Sequence, residues 1–311
     1  MRKVLGVNFS HHCSFAYFEN GILKEYYEED RFNKIKYFEP PDPFYEEPYE
    51  YQVLKKFKDI TFDAVVFVSF DRGNALVDKA YIENIIKQVK GNDVKYYIRE
   101  HHVFHAVSGF YFSKFEEAIA VISDGGGARV YSHYFKEMES IFLMSKQKQK
   151  ITKVYQKASC NQIYFFGEDK HSYIKKMEEF NYDLELINQP IAGRKYMNYT
   201  IEAGFDSGEE GQLMGIAAYK DKKTDLDKNV LEIANKAQEE TLQEKIELIE
   251  KALTYSNCKN IVLSGGYHLN CANNFKLVKH FPKLNFFVDP IAHDGGTAVG
   301  AAYYYAKNFK N

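Results

Sequence analysis

Apolar residues along this chain recur with two different periods, and the switches between them mark out its elements. Val4 to Asn8, Phe15 to Glu19 and Ile22 to Glu28 read as three strands, and Asn20-Gly21 between the last two is a strong signal for a two-residue hairpin. Asp63 to Phe70 predicts a short apolar strand, Leu76 to Val89 has helical spacing, and Val94 to Ile98 predicts another strand. Glu117 to Asp124 then opens a second strand group, continued by Ala128 to Phe135 and Ser140 to Ser145 around the turn Gly125-Gly126-Gly127. Strand, turn, strand, strand thus occurs at Val4 and again at Ala118, a recurrence expected of a duplicated architecture.

Beyond it, Lys146 to Ser159 is rich in Lys and Gln and predicts an exposed hairpin. A long helical region from Asp225 to Tyr255 sets Leu242, Ile246, Ile249 and Leu253 at steps of three and four, the stripe of a core-facing helix. Asn260 to Leu263 is a strand ending in Ser264-Gly265-Gly266, with a helix expected over His268 to His280. Phe286 to Val288 is the last strand, and His293-Asp294-Gly295-Gly296-Thr297 opens a closing helix of small residues. The expected organisation is α/β, with a first lobe over 1–115 and a second over 116–311. The second would carry a helical insertion at 192–255, and its C-terminal helix would return to the first lobe.

Composition narrows the classes. A hydrophobic content of 45% with 27% charged residues supports a globular core and excludes a disordered chain. A net charge of -2 supplies no global field for a polyanion, so a nucleic-acid acceptor would need a local basic face, for which Lys34, Lys36 and Lys146 to Lys153 are the candidates. Cys13, Cys160, Cys258 and Cys271 show no C-x-x-C spacing, and MRKVLGVNFS runs directly into a strand rather than a signal sequence. Free thiols in a reducing cytoplasm are expected. No apolar run approaches the roughly 20 residues of a membrane helix, so no membrane partner is expected.

The candidate chemistry lies at strand ends. Glycine turns at Gly125, Gly265 and Gly295 let backbone approach a ligand closely, and three of them together point to one phosphate-bearing ligand, although none is a P-loop or a G-x-G-x-x-G fingerprint. In Arg99-Glu100-His101-His102-Val103-Phe104-His105-Ala106, a helix would place His101 and His105 one turn apart, within reach of one metal ion. His102 and His105, at i and i+3, form a competing pair. Asp294, at a glycine turn, is the best third ligand by chemistry, and two histidines with one carboxylate suit Fe(II) or catalytic zinc.

Several blocks, taken in order, resemble the carbamoyltransferases that modify antibiotics and nodulation factors. They are LGVNFSHHCSFAYFENGILKEYYEEDRFNKIK, REHHVFHAVSGFYFSKFEEAIAVISDGGG, GEEGQLMGIAAY, LSGGYHLNCANN and AHDGGTAVGAA. The resemblance implies a duplicated actin-like, sugar-kinase-like ATPase fold with two lobes around a nucleotide cleft, similar to the tRNA threonylcarbamoyl-transfer protein. It implies an O-carbamoyltransferase that moves a carbamoyl group from carbamoyladenylate, made from carbamoyl phosphate and ATP, to an acceptor hydroxyl on a sugar or another small molecule; a hydroxymethyl nucleobase is an acceptor only if the lysines named above form one basic face.

Carried onto this chain, the resemblance places an iron-type metal on His101, His105 and Asp294, with zinc as the alternative, and selects His101 over His102. It makes His12 a general base or a donor to the leaving phosphate, and Lys36 a stabiliser of developing negative charge. Asp124 with Gly125, Gly126 and Gly127, Glu210 with Gly211, and Gly265 with Gly266 and Asn270 would surround the nucleotide. The chain departs from the family pattern at Cys13, usually acidic or an amide, and at Gln212, usually lysine. It also departs in length, since the family continues into a YrdC-like domain that makes the adenylate, so a separate donor-forming subunit is expected. Two other classes stand beside this one: a sugar-kinase-like phosphotransferase, which has no use for the histidine pair, and a non-catalytic nucleotide-binding partner.

Overall fold

The computed structural model describes residues 2–42, 46–69, 75–97, 100–130, 135–159, 180–220 and 222–310. Cys160, Phe70, Ile98, Arg99 and positions 131–134 of the expected strand lie outside the described residues.

Five strands form the first sheet: β1 (Lys3–Asn8), β2 (Ser14–Glu19), β3 (Ile22–Glu28), β4 (Ala64–Val68) and β5 (Val94–Tyr97), in the order β3-β2-β1-β4-β5. The second sheet contains β6 (Glu117–Ser123), β7 (Phe135–Ser145), β8 (Lys150–Ser159), β9 (Asp183–Ile187), β10 (Asn260–Ser264) and β11 (Asn285–Val288), in the order β9-β8-β7-β6-β10-β11. The two have the same wiring. In each, a three-stranded antiparallel meander lays its first strand parallel to a later strand: β1 against β4, and β6 against β10. Central strands of this kind are covered on both faces, which is why Val4 to Asn8 and Ala118 to Ser123 are buried without alternation.

Between the sheets lie two helices, α2 (His101–Ser113) and α7 (Gly296–Lys307). α7 packs on β1, β2 and β4, α2 packs on β6 and β10, and the helices pack on each other. Their shared core joins Val4, Phe18 and Val66 through Phe104 and Val107 to Ala120, Ile122 and Val262. Each Val, Ile or Phe side chain among them contributes about 1.5–3 kcal/mol on burial. The contact is close because small residues permit it: a Cβ on Gly300 would stand 2.0 Å from the Phe104 carbonyl oxygen, and one on Gly6 2.0 Å from that of Ala298. α1 (Ala75–Ile86) and aromatic residues of 49–57 contribute to a core cluster with β1, β2 and β4, while α5 (Lys228–Tyr255) and α6 (Cys271–His280) do so with β6, β7 and β10. α3 (Ala192–Glu202) and α4 (Glu210–Ala217) pack with α5 beside the second sheet. Among the described residues no helix is long and apolar enough to cross a membrane.

Four local expectations need correction. The predicted exposed hairpin is instead a ten-residue strand, β8, paired with both β7 and β9, and Ile151, Tyr155 and Ala158 are buried. Lys150, Lys153 and Lys157, interspersed with these residues, hid the apolar face. Ser140 to Ser145 is the end of the longer β7. The helix expected from His268 starts at Cys271, because the Asn270 side chain caps it by accepting from Asn273 N. On α5 the most buried face runs through Thr241, Lys245, Leu248, Ile249 and Ala252, so the expected stripe is rotated by about one residue. Lys245 is held there by Glu139 and by a 3.1 Å hydrogen bond to Ser123 Oγ, which pairs its buried charge.

The contact at Gly300 sets how near α7 comes to α2. Gly300→Ala is expected to destabilise the protein by about 1–3 kcal/mol through overpacking, measured as a lower denaturation midpoint at unchanged m-value.

Candidate functional site

α2 begins at His101, and one turn of helix carries His101 and His105 on the same face, both fully buried. Their Nε2 atoms lie 3.2 Å apart. His102 points elsewhere, its Nδ1 2.8 Å from Ser140 Oγ and its backbone N–H donating to Glu137 Oε1. Two carboxylates converge on the His101–His105 pair. Asp124, at the end of β6, brings Oδ2 to 3.3 Å from His101 Nε2 and 3.9 Å from His105 Nε2. Asp294, before α7, brings Oδ1 to 3.6 and 3.5 Å from the same two atoms.

Backbone geometry fixes both acids. Asp124 Oδ1 accepts from Gly125 N at 2.7 Å and from Gly266 N at 3.2 Å, joining two glycine turns and leaving Oδ2 for the imidazoles. The Asp294 carbonyl accepts from Thr297 Oγ1 at 2.6 Å, and Ser14 Oγ donates to the neighbouring Gly295 carbonyl at 2.8 Å, tying the turn to β2. Gly265 adopts φ +94°, and a Cβ there would lie 2.3 Å from the Ser123 carbonyl oxygen, so this glycine serves close approach of the strand ends.

Such a cluster calls for positive charge. Burial works to lower the His101 pKa, but Asp294 and Asp124 override it and push it up to about 10. Asp294 is held well below the usual carboxylate range against its own burial by His11 and His101. A divalent cation answers the same demand. Metal bonds of about 2.0–2.2 Å place neighbouring donors roughly 3–3.5 Å apart, close to the spacings found here. His101, His105, Asp124 and Asp294 therefore have the donor types, burial and convergence of a metal site, with ligand atoms all within 4.8 Å of one another.

The cluster's two acids, Asp124 and Asp294, line a cleft of about 650 Å³. The β1–β2 connection brings His11 and His12 to it, held by Asn8, whose side-chain amide donates to both their carbonyls at 3.1 and 3.2 Å. His12 adopts φ 56° and stacks on His293 at 4.4 Å between ring centroids. Burial, then the neighbouring His293 and His11, lower its pKa to about 3, so its ring is neutral at neutral pH. His293 is oriented in turn: Gly295 N donates to its Nδ1 at 3.1 Å, and its Nε2 faces Glu28 Oε1 at 3.2 Å.

Of the residues expected around a nucleotide, Asp124, Gly125, Gly126, Glu210, Gly211, Gly266 and Asn270 line this cleft, whereas Gly127 and Gly265 do not. Lys36 is exposed with its ammonium 4.4 Å over the Tyr37 ring, outside the cleft. Gln212 is exposed and donates to Glu209, so the missing lysine charge falls outside the lining as well. Sequence reasoning missed Asp124 as a partner of the imidazoles and missed His11, His293, Lys136 and Arg194 as cleft residues. One signal was available: Asp124-Gly125-Gly126 and Asp294-Gly295-Gly296 are the same tripeptide, the first just after β6 and the second just before α7.

Twin sheets of equal wiring, a helix pair between them and a cleft at their strand ends define the actin-like, sugar-kinase-like fold. Within that fold, residues 42–303 match the model of the carbamoyltransferase N-terminus, and the chain belongs to that family. It is 24% identical over 260 residues to the uncharacterised protein sll1178 of Synechocystis sp. (strain ATCC 27184 / PCC 6803 / Kazusa), an overlap of 73% of this chain and 40% of that protein. It is similar in fold to full-length HypF in a phosphate- and nucleotide-bound form, with a TM-score of 0.62 at 12% identity, over 100% of this chain and 56% of that one. Component A of the Acidaminococcus fermentans (R)-2-hydroxyglutaryl-CoA dehydratase gives a TM-score of 0.56 at 11% identity and 99% coverage of each chain. This chain thus spans about half the length of HypF and less than half that of sll1178.

Purified protein is expected to bind close to one divalent ion per chain by elemental analysis. His105→Ala, Asp124→Ala and Asp294→Ala should each weaken that binding at least about 10-fold, whereas His102→Gln should leave the stoichiometry unchanged.

Proposed function

We propose that this chain transfers a carbamoyl group from carbamoyladenylate, itself made from carbamoyl phosphate and ATP, to the hydroxyl of a sugar-like or other small-molecule acceptor. The observation that carries this reading is the convergence of His101, His105, Asp124 and Asp294 beside a cleft that also holds a glycine turn and a neutral His12. A bare sugar-kinase site has no use for two buried imidazoles in that position. Family membership supports carbamoyl transfer as the general chemistry.

His101, His105, Asp124 and Asp294 would hold the metal, Fe(II) or else zinc, which would polarise the carbamoyl carbonyl as a Lewis acid and offset charge on the phosphoryl oxygens. The chain's own residues do the rest. The acceptor hydroxyl oxygen bonds to the carbamoyl carbon, the bond from that carbon to the phosphate oxygen breaks, and AMP leaves. His12 takes the hydroxyl proton. An arriving phosphate beside it lifts its pKa from about 3 toward the working range, as a nearby anion favours the imidazolium. Glu28 holds His293, and His293 supports the His12 ring by stacking. Lys36 lies outside the cleft lining, so the proposal rests on His12.

The division into lobes at 115/116, with helices of 192–255 walling one side of the cleft, belongs to this proposal, as does a separate subunit that forms the donor. His12→Ala is expected to lower turnover about 10²- to 10⁴-fold while metal content stays unchanged, measured as carbamoylated product from enzymatically supplied carbamoyladenylate. Product formed by the purified chain from carbamoyl phosphate and ATP alone would remove the need for the subunit. A phosphorylated acceptor with ADP as co-product would instead establish a phosphotransferase.

A further inference from the structure

We propose that Lys136 and Arg194, together with the Gly125-Gly126 turn, form a phosphoryl-binding subsite in one wall of the cleft, an inference that rests on the nucleotide reading above. Lys136 is the second residue of β7, and its side chain runs over the turn, with Cδ 3.6 Å from the position a Cβ on Gly126 would take. Arg194 stands in the first turn of α3. That helix abuts the same turn from the other side, so closely that a Cβ on Gly193 would lie 2.8 Å from Gly125 N. All four residues of the proposed subsite line the 650 Å³ cleft.

Two cations gathered over a glycine turn repel one another, and the repulsion registers on Lys136. Burial first, then Arg194 and Arg129, hold its ammonium below the ordinary lysine range, although Asp124 pulls the other way. An anion bound between them removes that cost. Among the described residues no carboxylate forms an ion pair with Arg194. Asp124 and Asp294 are turned to the imidazoles, Glu210 accepts from Gly208 N, and the side-chain partner found for Arg194 among the described residues is the weak acceptor Met197 Sδ at 3.7 Å. The Gly126 N–H, at φ +149°, also makes no hydrogen bond among the described residues. A guanidinium fork, a point-charge ammonium and a backbone N–H suit a tetrahedral oxyanion with several oxygens better than a planar carboxylate. A phosphoryl group could reach this place on the donor nucleotide or on the acceptor.

Calorimetric titration of the metal-loaded chain with adenosine, AMP and inorganic phosphate, repeated on Lys136→Ala/Arg194→Ala, tests the subsite and distinguishes the two sources. AMP bound about 10- to 100-fold more weakly by the variant, with adenosine unaffected, establishes the subsite for the nucleotide phosphate. Unchanged AMP with loss of inorganic phosphate binding establishes it for a phosphate on the acceptor. Unchanged affinity for both anions overturns the subsite, and so does an equal loss for adenosine and AMP, which would mark a collapsed wall. If wild-type protein binds neither adenosine nor AMP, the nucleotide reading fails by itself, and inorganic phosphate then decides the subsite: binding lost in the variant upholds it, and absent or unchanged binding overturns it.

Discussion

Two buried carboxylates facing two buried imidazoles are the constraint around which this molecule is arranged. Four such groups within a few ångströms are costly unless a positive charge sits among them, because burial removes the water that would otherwise solvate Asp124 and Asp294. The protein meets part of that cost with backbone donors at Gly125 and Gly266 and with a His101 ring driven toward its charged form. A metal ion meets it more completely. The closeness of the cluster therefore reads as a demand for a cation rather than as ordinary core packing.

The duplicated fold produces this arrangement economically. Each sheet sends a central strand into the cleft, β1 toward His11 and His12 and β6 toward Asp124. The helix pair between the sheets contributes from the inside: α2 with His101 and His105 at its start, α7 with Asp294 just before its own. Helix positions within the sandwich set ligand positions, and Gly300 against the Phe104 carbonyl sets the helix spacing. Packing in the centre and chemistry at the cleft are thus one problem, solved by the same small residues.

Much of this was legible in the sequence. Short apolar runs and the Asn20-Gly21 turn pointed to the first meander, and the return of the same pattern at Ala118 pointed to the duplication. Histidines at i and i+4 gave the pair but not the choice between His101 and His102, which depends on Ser140 and Glu137 arriving from β7. What stayed hidden was mostly long-range. The apolar face of β8 was masked by lysines, and the burial of Lys245 depends on Glu139, which lies on another element. Asp124 read as a nucleotide contact because only the packing of β6 against α2 reveals that its second oxygen faces the imidazoles. Lys36 carried a motif match, and its exposed ammonium sits over Tyr37 rather than in the cleft lining, because a match in spacing does not fix where an exposed loop side chain lies.

X-ray absorption at the metal edge of the loaded protein tests the central claim most directly, because it reads the ligands of the ion itself. The expected spectrum shows two imidazole nitrogens at about 2.0–2.1 Å with carboxylate oxygens completing the shell, and one imidazole lost on His101→Ala. A shell of oxygens alone, or one unaltered by that substitution, would contradict it.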